Sequence, residues 1–169
     1  YEEPLVTYDL NFLGDYISRR IGHFISQLVR DGDTLQIGFG SLPNAILKHL
    51  VDKKDLGLHT QLITNAMLPL FEKKVITNKL KTLLPRRVVA SLCMGSEKLY
   101  RYVNDNPLFD FRSSEFVSDP LVIARNDNLV SISSALEVDL TGQVCSDSLG
   151  YRFYSGIGDQ VDFLRGSAM

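Results

Sequence analysis

A glycine-containing turn is the first segment of this chain that could do chemistry. Gly38-Phe39-Gly40-Ser41 lies between a short apolar strand and Pro43, a residue that suits the first turn of a helix. Glycines at such a junction let the backbone approach a ligand and aim N–H groups at an anion or a carbonyl oxygen. Tight turns also use glycine for conformational reasons alone, so ligand binding and a structural turn both stay open. The third glycine and the acidic residue of a dinucleotide-binding fingerprint are missing.

A predicted strand around Ser133 presents a second set of small and polar side chains. Alternation along the strand separates a polar face (Ser131, Ser133, Ala135, Glu137, Asp139) from a mostly apolar face (Val130, Ile132, Ser134, Leu136, Val138). The polar face suits a substrate-facing or a solvated surface. Glu137 is the obvious carboxylate, but it lies roughly 13 Å along the strand from Ser133. We interpret Glu137 as an exposed charge at the strand end.

The cysteines and histidines show no metal-binding spacing. Cys93 and Cys145 form no CxxC-type pattern with each other or with His23, His49 and His59. Reduced thiols of a cytoplasmic protein are therefore expected, without a disulfide and without a metal site.

Composition bounds the class of protein. The chain has 169 residues, 44% of them hydrophobic and 22% charged, with a net charge of −2. This balance lacks the basic footprint of nucleic-acid binding. No apolar run approaches the roughly 18 residues of a membrane span. We expect residues 1–169 to form one domain that is a fragment of a longer protein.

The chemistry-bearing segments alternate with predicted helices and strands. A long amphipathic helix is predicted over about residues 8–30, on an apolar stripe of Leu10, Leu13, Ile17, Ile21, Phe24, Ile25 and Leu28. Strands are predicted over 34–38, 59–64 and 87–94. The helices after them begin near Pro43, near Asn65 as a cap, and at Ser96. This order predicts an α/β fold with a largely parallel sheet and helices on both faces.

Four segments carry a resemblance to a known family. They are Asp31-Gly-Asp-Thr-Leu-Gln-Ile-Gly38, Val75-Ile-Thr-Asn78, Met94-Gly-Ser-Glu-Lys-Leu-Tyr100 and the region from Asn126 onward. Through them the chain resembles the C-terminal domain of the acetyl-CoA hydrolase/transferase family, the acyl-CoA:carboxylate CoA-transferases of the 4-hydroxybutyrate/acetate type. The resemblance implies a CoA-transferase-like fold and an N-terminal domain of the same full-length protein as partner. It leaves a homo-oligomer open.

The resemblance also places Gln61 where the family has its nucleophile. In the family, a glutamate attacks the thioester carbonyl to give an acyl-glutamyl anhydride and then a glutamyl-CoA thioester. The neutral amide of Gln61 is a far weaker nucleophile than a carboxylate. Losing the nucleophile of a covalent mechanism costs on the order of 10⁴ to 10⁶ in rate. His59 lies two residues away on the same predicted strand, where packing is a simpler role than positioning a ligand.

Two further departures fall in the site that the resemblance implies. Ser133 stands where relatives commonly have an asparagine that steadies the catalytic glutamate. Gly158-Asp159 stands where the family has two adjacent glycines whose N–H groups face the developing oxyanion. The side chain of Asp159 would bring negative charge and bulk to that place, or it would cap the following helix. The implied contacts to coenzyme A are Gly38, Gly40, Ser41 and Gly156.

The resemblance implies transfer of CoA between an acyl-CoA and a small carboxylate such as acetate, without a metal. A different class of function is a catalytically degenerate acyl-CoA-binding or regulatory module of a larger protein, for example one fused to an acetyltransferase domain. A purely structural half of a pocket is a third reading. Three departures in one site favour relaxed or altered catalysis, although an engineered change at Gln61 would explain one of them.

Overall fold

Three parallel strands form the central sheet of the computed structural model, which describes residues 5–8, 14–156 and 158–169. The middle strand β1 (Thr34–Ile37) pairs with β2 (Gly57–Leu58) on one side and with β7 (Leu129–Ile132) on the other. All four residues of β1 are buried. The largely parallel sheet predicted from the sequence is confirmed.

Two shorter parallel pairs extend this architecture. Strand β3 (Leu62–Thr64) pairs with β5 (Leu92–Met94), and β4 (Val88–Ala90) pairs with β6 (Phe109–Phe111). The single strands predicted over 59–64 and 87–94 were therefore wrong in extent, because each of these segments contributes to two different pairings.

The split between β2 and β3 occurs at Gln61. Its carbonyl oxygen accepts hydrogen bonds from the backbone N–H groups of Ser91 and Leu92, at 3.0 and 2.9 Å. One carbonyl bound twice interrupts the regular ladder, so Gln61 lies in a bend between two strands. The expectation that His59 and Gln61 lie on one continuous strand was wrong for this reason.

Seven α-helices are present in the described part of the chain: α1 (Tyr16–Leu28), α2 (Ser41–Lys48), α3 (Leu68–Glu72), α4 (Glu97–Val103), α5 (Ser114–Val117), α6 (Pro120–Ile123) and α7 (Gln160–Ser167). Helix α4 begins as predicted, since the Ser96 hydroxyl accepts from the N–H of Leu99. Asn65 is the first residue of a short 3-10 helix (Asn65–Met67) before α3 and does not cap it. Its side-chain oxygen instead accepts from the backbone N–H and the hydroxyl of Ser96, which ties the end of β3 to the start of α4.

Helix α1 is shorter than predicted and turns a different face inward. It begins after Asp15, whose carboxylate accepts from the N–H of Ser18, and the predicted helical positions Leu10 and Leu13 lie outside the described residues. The face buried against α2 carries Gly22 and Ser26. A Cβ at position 22 would lie 3.0 Å from the carbonyl of Ala45, so only glycine permits this close approach.

Of the predicted apolar stripe of α1, Ile25 packs against the core, whereas four other positions are exposed. Ile17, Ile21, Phe24 and Leu28 keep 64, 38, 55 and 74% of their surface accessible. The main hydrophobic core lies elsewhere, around β1, α2 and α3. It includes Leu35, Ile37, Ile46, Leu50 and Phe71.

The strand predicted around Ser133 ends at Ile132, one residue before Ser133 itself. Beyond Ile132 the neighbouring strand β1 has entered its glycine turn, so no backbone remains for pairing. The continuous alternation predicted to Asp139 was therefore wrong. Two antiparallel hairpins follow instead, β8 (Glu137–Val138) with β9 (Val144–Cys145) and β10 (Ser148–Leu149) with β11 (Arg152–Phe153). Glu137 is exposed, as expected.

None of the helices in the described residues has both the length and the apolar composition of a membrane span.

Candidate functional site

A cavity of about 660 Å³ lies at the carboxyl ends of β1 and β7. Gly38 follows the last residue of β1, Ser133 follows the last residue of β7, and both line the cavity. Gln61 and Asp159 belong to the same lining. Open α/β sheets bind ligands at this place, outside the carboxyl ends of their parallel strands.

Only some of the residues predicted from the sequence to contact a ligand line this cavity. Gly38, Gly156 and Gly158 line it, whereas Gly40 and Ser41 are not among its lining residues. Gly40 precedes α2 with a φ of +124°, a conformation that side-chain-bearing residues rarely adopt. The structure thus assigns Gly40 a turn that starts the helix, and Ser41 is the first residue of α2.

The backbone around Gln61 is fixed from both sides. The Thr60 N–H donates to the carbonyl of Val89 at 3.0 Å, and the Thr60 hydroxyl donates to the carbonyl of Ile37 at 3.1 Å. Together with the two bonds to the Gln61 carbonyl, these contacts hold the residue between β1 and β5. Its half-buried side chain therefore projects from a rigid support.

His59, two residues before Gln61, is fully buried. Its Nε2 atom lies 2.8 Å from the carbonyl oxygen of Val117, and its Nδ1 atom lies 3.2 Å from the Asn126 side-chain nitrogen. These partners assign the proton to Nε2 and the acceptor role to Nδ1. Burial lowers the pKa of His59 to about 4, and the nearby charge of Lys81 acts in the same direction. The ring also contacts Phe163 edge-on. The packing role expected for His59 is confirmed.

Asp159 occupies the N-terminal boundary of α7 without capping it. Its side chain makes no capping hydrogen bond, so the capping interpretation was wrong. The Oδ2 atom is buried and has no hydrogen-bond partner in the described part of the chain. Burial raises the pKa of the Asp159 carboxyl, its own backbone N–H partly offsets this, and the charge of Asp162 raises it further. Ile157, within the same predicted loop, lies outside the described residues.

A second cavity, of about 460 Å³, shares some lining residues with the first. Gln61, Gly158 and Asp159 line both cavities, so the two cavities adjoin at these residues. The remaining lining of the second cavity is polar and acidic: Ser114, Glu115, Ser118, Asp119 and Asp162. Sequence reasoning missed this open, acidic cavity, because residues around 114–119 follow β6 and reach Gln61 only through the tertiary fold.

Several lining residues of the first cavity were also missed. Leu92, Cys93 and Met94 enter through β5, and Tyr8 and Tyr100 enter beside its end. Burial raises the pKa of Cys93 to about 11, so this thiol is a poor nucleophile. Only the segment of resemblance that ends at Tyr100 pointed to this region, and it indicated fold rather than site.

A larger groove of about 930 Å³ lies at a different place on the surface. It is lined by charged residues of both signs, including Lys53, Lys73, Lys74, Asp55 and Glu72. Part of this charge is already paired, for example Lys79 with Asp55 at 3.5 Å. No described residue of the predicted site lines this groove, so the candidate site is the smaller cavity.

The chain is similar to known proteins of one family. Residues 95–169 match the family model described as the acetyl-CoA hydrolase/transferase C-terminal domain. The chain is 46% identical over 164 residues to the 4-hydroxybutyrate coenzyme A transferase of Clostridium kluyveri, covering 97% of this chain and 38% of that protein.

Solved structures give the same result. The 4-hydroxybutyrate CoA-transferase of Porphyromonas gingivalis superposes with a TM-score of 0.85 at 40% identity, over 98% of this chain and 38% of that one. RipA from Yersinia pestis superposes with a TM-score of 0.79 at 38% identity, over 99% and 36% of the two chains. The chain thus spans well under half of the length of these relatives. On its sequence and its fold, the chain belongs to the acetyl-CoA hydrolase/transferase family, with residues 95–169 matching the family's C-terminal domain.

Proposed function

We propose that the 660 Å³ cleft binds an acyl-CoA thioester and that the full-length protein acts on acyl-CoA substrates. The observation that carries this proposal is the shared lining of Gln61, Ser133, Gly158 and Asp159 at the carboxyl ends of two parallel strands. Gly38 and Gly156 line the same cavity, and without side chains they leave the backbone open to a ligand there. The resemblance implies that this ligand is a thioester.

The family reaction would pass CoA to a small carboxylate such as acetate. We propose that this chain does not support the covalent form of that reaction, because Gln61 lacks the anionic oxygen that the first step needs. The carboxylate of Glu137 does not replace it, since Glu137 is exposed on β8 and is not among the residues that line the cleft.

The rest of the full-length protein supplies the remaining walls of the site in this proposal. Residues 1–169 would then be one part of a larger family protein, with an N-terminal domain as its intramolecular partner. The exposed apolar face of α1 is consistent with such a partner. A cytoplasmic location remains a prediction from cysteine usage.

Calorimetric titration of the full-length protein with a thioether analogue of acetyl-CoA tests the binding. We expect micromolar saturation at one site, lost or weakened at least tenfold when Gly158 is replaced by Phe to fill the cleft. A Cβ at position 158 meets no atom within 4 Å, so the substituted side chain would occupy space that the fold leaves open. An undiminished affinity in the Gly158→Phe protein would place the thioester elsewhere.

Exposure to acetyl-CoA followed by borohydride reduction and intact-mass measurement tests the covalent route. We expect no modified residue at position 61. An adduct at Glu137 would contradict the proposal and move the nucleophile there. Binding without any turnover would favour the second candidate function, a regulatory acyl-CoA-binding module, which the loss of the nucleophile at Gln61 supports.

A further inference from the structure

Among the described residues that line the 660 Å³ cavity, Asp159 is the one carboxylate. The other ionisable side chains there are Cys93, Tyr8 and Tyr100. The Cys93 thiol is held in its protonated form by burial. The hydroxyl of Tyr100 donates to the carbonyl of Val6 at 3.0 Å and accepts from a backbone N–H. Asp159 is therefore the group in this lining best suited to take up a proton.

The carboxyl of Asp159 has no structural role that would explain its position. It does not cap α7, and its buried Oδ2 atom has no hydrogen-bond partner among the described residues. Buried polar atoms in native proteins are normally paired, so an orphaned one calls for a functional explanation. Burial also raises the pKa of this carboxyl, which brings its basicity closer to the range that proton transfer near neutral pH requires.

The second cavity indicates which acceptor the site can use. Three further carboxylates, Glu115, Asp119 and Asp162, line it beside Gln61 and Asp159. This concentration of negative charge opposes the approach of an anionic carboxylate acceptor. Water is neutral and meets no such barrier. The acidic second cavity thus favours water over a carboxylate as the group that attacks the thioester.

We propose that Asp159 is the general base of a direct hydrolysis of acyl-CoA in this cleft. The inference rests on the proposed acyl-CoA binding and goes beyond it by naming a reaction and its base. The reaction needs no covalent intermediate on the protein, so it is compatible with an amide at position 61.

The Asp159 carboxylate accepts a proton from water while the water oxygen forms a bond to the thioester carbon. The tetrahedral intermediate collapses, the C–S bond breaks, and the leaving thiolate takes the proton back from Asp159. A carboxylic acid and the CoA thiol result, and the acid then ionises to its carboxylate. The base is regenerated in each turnover.

Gln61 has a distinct task in this reaction. Its side-chain amide carries two N–H donors, which a carboxylate at the same position would lack. One of them can donate to the thioester oxygen as negative charge develops there. Removing a single donor of this kind typically costs about 10²–10³ in rate.

The test uses the full-length protein and acetyl-CoA in water enriched in oxygen-18, under single-turnover conditions. We expect acetate with one labelled oxygen and no label in the protein. Asp159→Asn should slow hydrolysis by about 10²–10⁴, with the affinity for the thioether analogue changed less than about threefold. Asp159→Gly should show the same loss.

Glu137→Gln is the matched control, because Glu137 is an exposed carboxylate outside the cleft. We expect its hydrolysis rate to stay within twofold of the wild type. Unchanged hydrolysis in Asp159→Asn, label in the protein, or no hydrolysis despite analogue binding would each overturn the inference while leaving the proposed binding intact. Absence of analogue binding would overturn the proposed function, and the inference with it.

Discussion

In the proposed site, the difference between an amide and a carboxylate at residue 61 decides which reactions are open. The carbonyl of Gln61 is bound by Ser91 and Leu92, so the backbone would hold a glutamate as firmly as it holds the glutamine. What changes is the charge and the hydrogen-bonding character of the side chain. Asp159 lines the same cavity, so the site still contains a carboxylate, though at a different place.

Restoring the carboxylate alone should not restore transfer. We expect Gln61→Glu to give little or no exchange of CoA between acetyl-CoA and labelled acetate in the full-length protein. Ser133 cannot orient the new carboxylate as an asparagine would, and Asp159 adds like charge beside it. Preorganised donors of this kind are worth roughly 3–4 kcal/mol each.

The triple change Gln61→Glu, Ser133→Asn, Asp159→Gly is the comparison. We expect its exchange rate to exceed the product of the three single effects, and its hydrolysis to fall with the loss of Asp159. Exchange at ordinary enzymatic rates by Gln61→Glu alone would show that the amide is an isolated lesion in a competent site.

His59 should make stability depend on pH. Its pKa is about 4 in the folded protein and about 6.5 when unfolded, so the unfolded state binds the extra proton between these values. The free energy of unfolding should therefore decrease as the pH falls from 6.5 to 4, by up to about 3 kcal/mol. Below pH 4 both states are protonated and this contribution is constant.

Denaturant titrations at several pH values measure this effect. His59→Gln should flatten the dependence between pH 6.5 and 4, whereas the exposed His49, replaced in the same way, should leave it unchanged. Equal slopes for wild type and His59→Gln would contradict the burial of a neutral imidazole at this position.

At the scale of elements, α7 sets the position of Asp159. The helix packs on α6, where Gly166 comes so close that an added Cβ would lie 2.6 Å from two atoms of Ile123 and 2.9 Å from the carbonyl of Pro120. Phe163 packs the same helix against His59, which lies two residues before Gln61. One short helix thus connects the loop of Asp159 with the strand end of Gln61.

We expect Gly166→Ala to destabilise the protein by about 1–3 kcal/mol through overpacking. The sign is informative, because alanine in an exposed helix would gain about 1 kcal/mol over glycine. Urea titration measures the change. Ser167→Ala, at the exposed neighbouring position, should stay within about 0.5 kcal/mol. A stabilised Gly166→Ala protein would show that α7 can move away from α6.

At the scale of the whole molecule, α1 shows three distinct faces. Small residues at Gly22 and Ser26 pack inward, polar residues face solvent, and the stripe of Ile17, Phe24 and Leu28 is exposed beside them. Exposed apolar stripes of this kind mark contact surfaces. The relatives are more than twice as long as this chain, and their remaining length is the expected cover.

Phe24→Asp should therefore lower the unfolding free energy of the full-length protein by at least about 2 kcal/mol, since the new charge would be buried. Gln27→Asp places the same charge on the polar face and should cost less than about 1 kcal/mol. Denaturant titration of both variants gives the comparison. Equal and small effects would show that the stripe stays exposed in the full-length protein.

The sequence by itself determined the class of fold and the segments that meet at the cleft. Strand and helix alternation predicts the parallel sheet, and Gly38 and Ser133 follow β1 and β7 closely enough for local pattern to place them. The resemblance added Gln61, Gly158 and Asp159, all of which line one cavity. These features depend on residue type and short-range spacing, which a linear sequence records directly.

The tertiary structure alone decided which faces are buried and which groups have partners. Periodicity predicts an apolar stripe on α1, but close approach at Gly22 turns a face of small residues inward. Whether the Asp159 side chain caps a helix or keeps a buried, unpaired oxygen beside a cavity depends on atoms of distant segments. The acidic second cavity likewise combines residues near 61, 115 and 159. Such properties arise from contacts between parts of the chain far apart in sequence, and no local pattern encodes them.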